Sequence, residues 1–401
     1  MPRFEPFAGL RYAAGVDLDA VIAPPYDVVS PDERVALAAR SPYNSIHVEL
    51  PEDTVTMGRD RYRQAAWLLD LWREEGVLVP DGEPAFYGYR MRYRDERDRL
   101  SETTGVIGAL AVSAPGDGDV LPHERTMSKD KADRLSLLRA CRANTSPVWG
   151  LSLAQGLGEH ARTVSAPAVH CTDDQGNLHQ LWPITAPSAL AAISTTVASD
   201  ALVIADGHHR YETALAYREE RRAANGGAAG AYDLVMALVV ELAEDQVSVR
   251  PIHRLLAGLP PGTDVAAALR PHFDLLDGAV PEDRLALRME EEGALALVTA
   301  SRTWLLRPRP ETEAPEGEPV DASRAAAALE ALPEHRLTYQ PSWHRAVLAV
   351  QKGEAQAALM LRPPTVDAIA SVARRGGRMP PKTSFFHPKP RTGLVFRPVP
   401  G

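Results

Sequence analysis

Four polar residues and a glycine stand between an apolar run, ALVIA (Ala201–Ala205), and an amphipathic run, YETALAYREERRAA: Asp206, Gly207, His208, His209 and Arg210. The first N–H groups of a helix lack intrahelical partners and carry the positive end of its dipole. An anion docks there readily. Gly207 allows close backbone approach and unusual dihedrals. His208, His209 and Arg210 add donors that phosphate oxygens accept, arginine bidentately. The segment therefore reads as a phosphate-binding turn at the start of a helix. Zinc is the competing reading, since histidines ligate metal, although two adjacent histidines rarely point at one ion.

Four further groupings carry candidate chemistry. In LPHERT, His123 and Glu124 end an apolar segment and precede a helix rich in Lys129, Lys131 and Arg134. A glutamate beside cations suits a general base toward a hydroxyl, or a metal ligand. In APPYDVV, Tyr26 and Asp27 sit in a proline-stiffened loop, where function concentrates. In RPIHR, His253 and Arg254 follow a buried strand and would extend the anion site. In MPPKTSFFHPK, Lys382 follows a proline turn and suits a carboxylate or phosphate. The phosphate loop GxxxxGK[ST], the GxGxxG turn, the HRD and DFG pair and the GxSxG elbow do not occur.

The elements that must position these residues follow from local pattern. Ser30, Pro31 and Glu33 form a capping-box start to a helix. A second helix is expected over Arg61–Glu75, with Ala65, Leu68, Leu69 and Trp72 on one face and Gly76 closing it. FYGYRMRYR alternates: Tyr87, Tyr89, Met91 and Tyr93 face one way, Arg90, Arg92 and Arg94 the other, as in a half-exposed strand. Another helix starts near Lys131. Ala201–Ala205 and Leu234–Leu242 read as buried strands, and Asn225–Gly230 ends the helix between them. Near the C-terminus AALMLRPP reads as a strand and VDAIASVARRG as a helix. Pro308–Val320 is Pro/Glu-rich and reads as an exposed loop or hairpin tip. The expected fold is mixed α/β in three parts: residues 1–110 with the APPYD motif, 111–258 with LPHE and DGHHR, and 259–401 ending in the MPPK segment.

Composition bounds the function. The chain has 401 residues, 45% hydrophobic and 24% charged, an ordinary globular balance. A net charge of −9 argues against a nucleic-acid backbone as partner. Cys141 and Cys171 form no framework or zinc spacing, so a reducing, cytoplasmic setting is expected. No apolar run is long enough for a membrane span. A homodimer stays open.

Taken together, PFAGLRY, APPYDVVSPDE, SPYNSIHVELP, LPHERT, KADRLSLLRACRANTSPVWGL, ADGHHRYETAL, RPIHR and MPPKTSFFHPK resemble, in this order, a widespread bacterial and archaeal family catalogued as a domain of unknown function, DUF1015. The central part is similar to the ParB/sulfiredoxin superfamily, whose basic segment at a helix N-terminus binds nucleotide phosphates; Gly207–Arg210 match it. Members that phosphorylate free L-serine carry an upstream His-Glu pair, matched here by His123 and Glu124. The resemblance implies a ParB/sulfiredoxin-like nucleotide-binding core with additional N- and C-terminal α/β parts. It implies ATP as donor, Mg2+ held partly by Asp206, and a free serine hydroxyl oriented by Glu124. Asp27 would meet the ammonium of the amino acid, and His253, Arg254 or Lys382 its carboxylate, with Tyr26 beside them. The interval from Glu124 to Asp206 exceeds that of compact ParB-like domains, implying an insertion unless the pair matches by coincidence. Two alternatives remain: a ParB-like nucleotide-binding regulator without turnover, and a metal-dependent hydrolase using His123, Glu124, His208 and His209.

Overall fold

The computed structural model describes residues 1–53, 60–95, 98–114, 116, 118–122, 129–162, 169–278, 282–310 and 320–400. His123 and Glu124, and most of the Pro308–Val320 segment, lie outside the described residues. The chain divides into two compact units. The first comprises Met1–Pro122, Thr126–Ser248 and Pro388–Gly401, and the second Val249–His387. The architecture is mixed α/β, as the alternation of strand and helix patterns requires.

The first unit is built on one sheet. Its strands run in the order Val120–Pro122, Leu202–Asp206, Val148–Ser152, Leu234–Glu241, Leu100–Ala111, Phe86–Arg94, Leu178–Ile184 and Val169–Thr172, with Phe4–Glu5 pairing the end of Leu100–Ala111. Residues on both sides of position 110 thus share this sheet. Leu234–Glu241 is apolar along its length and lies in the sheet interior, with Val235 to Val240 all buried. Such a strand needs cover on both faces, which is why its sequence shows no alternation. Phe86–Arg94 follows the expected alternation at its outer end, where Arg92 and Arg94 are exposed. Phe86 and Gly88 are buried as well, because the strand is paired on both sides and Trp182 lies over Gly88.

The helices of this unit start where the caps place them. Ser30 Oγ accepts from Glu33 N at 3.3 Å while Glu33 Oε2 accepts from Ser30 N at 2.8 Å, and the helix runs Pro31–Arg40. The second expected helix is Arg61–Glu74 and buries Ala65, Leu69 and Trp72. Leu78, Leu10, Val48 and Phe396 join that face in one apolar cluster.

In the second unit six strands pair antiparallel in the order Phe273–Asp277, Thr303–Pro308, Leu295–Thr299, Ala357–Met360, His253–Ala257 and Arg336–Gln340. Trp343–Gln351 packs on it through Ala346, Val347 and Val350. His253 and Arg254 follow the short strand Ser248–Pro251, as expected, and themselves open the next strand, His253–Ala257.

Candidate functional site

The strand Leu202–Asp206 passes into the helix His208–Ala224 through a single residue. That residue is Gly207, at φ 81°, a left-handed conformation that glycine adopts without steric cost. The register against Val148–Ser152 slips between Ile204 and Asp206, so the strand end is turned out of the regular ladder. Gly207 is the N-cap and, as a glycine, supplies no side-chain cap of its own. Pro122, the last residue of Val120–Pro122, stands in parallel register with Ile204, so the two strands end on the same side of the sheet. In parallel pairs that carboxyl end is where ligands bind.

Asp206 is buried and takes two cations. Arg210 Nη2 donates to Oδ2 at 2.7 Å, and Lys389 Nζ donates to Oδ1. Burial pushes the Asp206 carboxyl up, but Lys389 and Arg210 outweigh it and hold the group well below the usual carboxylate range. Arg210 Nη1 donates to the Pro147 carbonyl oxygen. Arg210 is therefore clamped by Asp206 on one side and the backbone on the other. A Cβ on Gly207 would lie 2.9 Å from Arg210 Nε, so the glycine also clears the space that the guanidinium fills.

Around Arg210 the fold gathers residues from four distant segments. Tyr26 and Asp27 lie in the short turn Tyr26–Val28, led by extended Pro25. The Arg134 guanidinium, from the helix Lys129–Cys141, lies 4.1 Å from the centre of the Tyr26 ring. Arg134 Nη1 also donates to the Glu49 carbonyl at 2.6 Å. The Glu49 side chain is buried and accepts from Thr145 Oγ1 at 2.6 Å, Ser146 Oγ at 2.9 Å and Tyr26 N at 3.4 Å. Burial raises the Tyr26 phenol well above its ordinary value, against the pull of nearby Arg210. Burial works against the charge on Arg210, yet Asp206, Asp27 and Glu49 raise its pKa above the ordinary value.

The structure thus brings Tyr26 and Asp27 to the Asp206–Arg210 turn. His253, Arg254 and Lys382 belong to the second unit. His253 is buried, Nδ1 accepts from Leu361 N at 3.2 Å, and Trp343 meets its ring edge-on. Arg254 Nη1 donates to Ile252 O and to Lys382 O. Four site residues were not singled out from sequence: Glu49, Thr145, Ser146 and Lys389. Their signal is weak but present. Each lies in a proline-punctuated polar stretch, and Lys389 stands between Pro388 and Pro390.

Both Asp206 oxygens are in ion pairs, and among the described residues no group of three or more His, Cys, Asp or Glu could hold a metal ion. The described residues contain no helix long and apolar enough to cross a membrane.

The profile of a family described as "Protein of unknown function (DUF1015)" matches residues 4–335. No curated protein matches the chain. Among solved structures, a free serine kinase in complex with AMP is 15% identical, with a TM-score of 0.38, covering 67% of this chain and 83% of that one. A conserved hypothetical protein from Pyrococcus furiosus is 14% identical, TM-score 0.38, covering 69% and 90%. SbnI with a C-terminal truncation, from Staphylococcus aureus, is 13% identical, TM-score 0.39, covering 70% and 82%.

Proposed function

We propose that this chain, which belongs to the DUF1015 family, is a small-molecule kinase that transfers the terminal phosphoryl group of ATP to the hydroxyl of free L-serine. The observation that carries the reading is the turn at Gly207. A 17-residue helix begins there on a glycine N-cap, directly after a strand end, with Lys389 and Arg210 on the preceding carboxylate. The N-terminus of a helix next to cations is what a phosphate requires.

Phosphoryl transfer asks the protein mainly for positioning and charge neutralisation. In the proposed reaction the backbone of Gly207, His208 and His209 holds the phosphate oxygens, and Lys389 neutralises their charge. Arg210, clamped from behind, supplies a fixed positive field. The bond between the terminal phosphorus and its bridging oxygen breaks, and a new one forms to the serine Oγ. The hydroxyl proton passes to Glu124, whose role rests on the resemblance of LPHE to the His-Glu pair of free-serine kinases. Magnesium, if the donor brings it, would be carried by the phosphates.

The test is purified protein with ATP, magnesium chloride and L-serine, read by phosphoserine formation, with ADP, CTP and pyrophosphate as alternative donors and other hydroxy amino acids as acceptors. Phosphoserine formed with ATP supports the proposal. Nucleotide binding without transfer to any acceptor would replace it by a nucleotide-sensing role.

A further inference from the structure

Beside the Asp206–Arg210 turn, inside the first unit, lies a small cavity of about 40 Å3 lined by Glu49, Arg134, Thr145, Ser146, Arg210 and Thr213, among others. By the roughly 10–15 Å3 that one water needs, it has room for a charged head group or a few waters. Two of the lining residues each carry a fully buried polar atom, Arg210 Nε and Thr213 Oγ1, with no hydrogen-bond partner among the described residues. Arg210 is 9% exposed and Thr213 4%. A buried donor left unpaired costs about 1–3 kcal/mol, so the site calls for a partner.

The chemistry of the lining narrows that partner. Arg210 Nε–H and the Thr213 hydroxyl offer donors to an oxygen anion. Glu49, two of whose roughly four acceptor positions are taken at short range by Thr145 and Ser146, offers the opposite charge. A lone anion would meet the Glu49 carboxylate, and a lone cation would meet two guanidinium groups. A zwitterion satisfies both ends and adds no net charge to a buried place.

We infer that this cavity is the acceptor subsite and takes the head group of an α-amino acid, with its carboxylate on Arg210 Nε and Thr213 Oγ1 and its ammonium on Glu49. The inference rests on the kinase reading for its choice of an amino acid. The side chain of the ligand lies toward the open side of the cavity, since the enclosed space admits only the head group. Glu49 and Thr213 are then binding residues, and Thr145 and Ser146 position the Glu49 carboxylate.

The experiment is calorimetric titration of the full chain, with and without ADP, using L-serine, ethanolamine and 3-hydroxypropionate. The last two lack the carboxylate and the ammonium respectively. Binding of L-serine is expected, with each truncated compound weaker by about tenfold or more, the value of one lost charged hydrogen bond. T213V, which keeps side-chain shape, should weaken L-serine about tenfold and leave ADP affinity unchanged. E49Q should weaken L-serine more than 3-hydroxypropionate. An L-serine affinity unchanged by T213V, or no amino acid bound by a protein that still binds ADP, overturns the subsite and leaves the cavity to water. If L-serine binds with this variant pattern but no phosphoryl transfer occurs, the subsite stands and the kinase reading falls.

Discussion

Gly207→Ala probes the turn on which the proposed phosphate site depends. Two separate costs meet at this residue. The backbone stands at φ 81°, which a residue with a Cβ occupies at about 1–2 kcal/mol. The new Cβ would also lie 2.9–3.0 Å from three atoms of the Arg210 guanidinium. Such a clash is cheap when the neighbour is the loose end of a flexible side chain. Here the guanidinium is buried and held by Asp206 and by the Pro147 carbonyl, so moving it breaks a buried ion pair, at about 3–5 kcal/mol. Gly207→Ala should therefore cost about 4–7 kcal/mol in all. Gly76 supplies the control. It has a similar φ of 72°, and a Cβ there would meet nothing within 4 Å. Gly76→Ala should show the backbone cost alone, about 1–2 kcal/mol. Urea unfolding of both variants measures the difference. In an Arg210→Met background the extra cost at Gly207 should vanish, because the atoms in the way are gone. Equal losses for the two alanine variants, or an extra cost that survives Arg210→Met, would refute the claim that Gly207 makes room for a fixed guanidinium.

Three further outcomes are expected. Lys389→Ala should weaken nucleotide binding about tenfold or more, as the loss of one charge-assisted contact implies, and Lys389→Arg should restore most of it; titration with ADP and ATP checks both. Glu124→Gln should abolish phosphoserine formation while leaving nucleotide affinity within about twofold, and parallel loss of both in that variant contradicts the division of roles. Burial, helped by the neighbouring Arg254, pushes the His253 imidazole down to about 3, far below its unfolded value of about 6.5. The unfolded chain then binds a proton that the folded chain refuses, so stability is full above about pH 6.5 and falls as pH drops toward 3. His253→Asn keeps an acceptor for Leu361 N and removes the titration; its stability should vary less between about pH 6.5 and 5 than that of the parent chain.

Local physics made part of this protein legible and long-range closure hid the rest. The Ser30 capping box, the Arg61–Glu74 helix and the Gly207 turn each depend on residues within one or two turns of chain, so pattern alone exposes them. RPIHR shows both sides: Pro251 reads as a strand end and is one, whereas the strand that His253 opens is held by Arg336–Gln340 and Ala357–Met360, far along the chain, which no local pattern shows. Within the site, Asp206 and Arg210 are four residues apart and were found together. Lys389 is 183 residues from Asp206, and Glu49 is 96 from Thr145. No periodicity links such pairs. They meet because the chain returns to the first unit at Pro388, where Thr392 pairs with Ala23 in the backbone and Arg391 pairs with buried Asp173.

That return explains why one short tail carries so much charge. Arg391 and Arg397 are buried to anchor it, through Asp173 and through the carbonyls of Leu234 and Ala231. Lys389, between its two prolines, is the one of the three whose partner is also the residue preceding the phosphate turn. A cation shared between a buried carboxylate and an incoming phosphate needs a stiff mount, because the phosphate gains only what the ammonium does not lose in reaching it. Pro388 and Pro390 remove that freedom before the ligand arrives. The same logic places Arg210 behind the turn and not in front of it: its ends are taken by Asp206 and Pro147, so it contributes charge to the phosphate side, and the same residue lines the proposed acceptor cavity. One arginine thereby borders both halves of the proposed reaction, which is why its replacement should disturb donor and acceptor together while Lys389→Ala touches the donor alone.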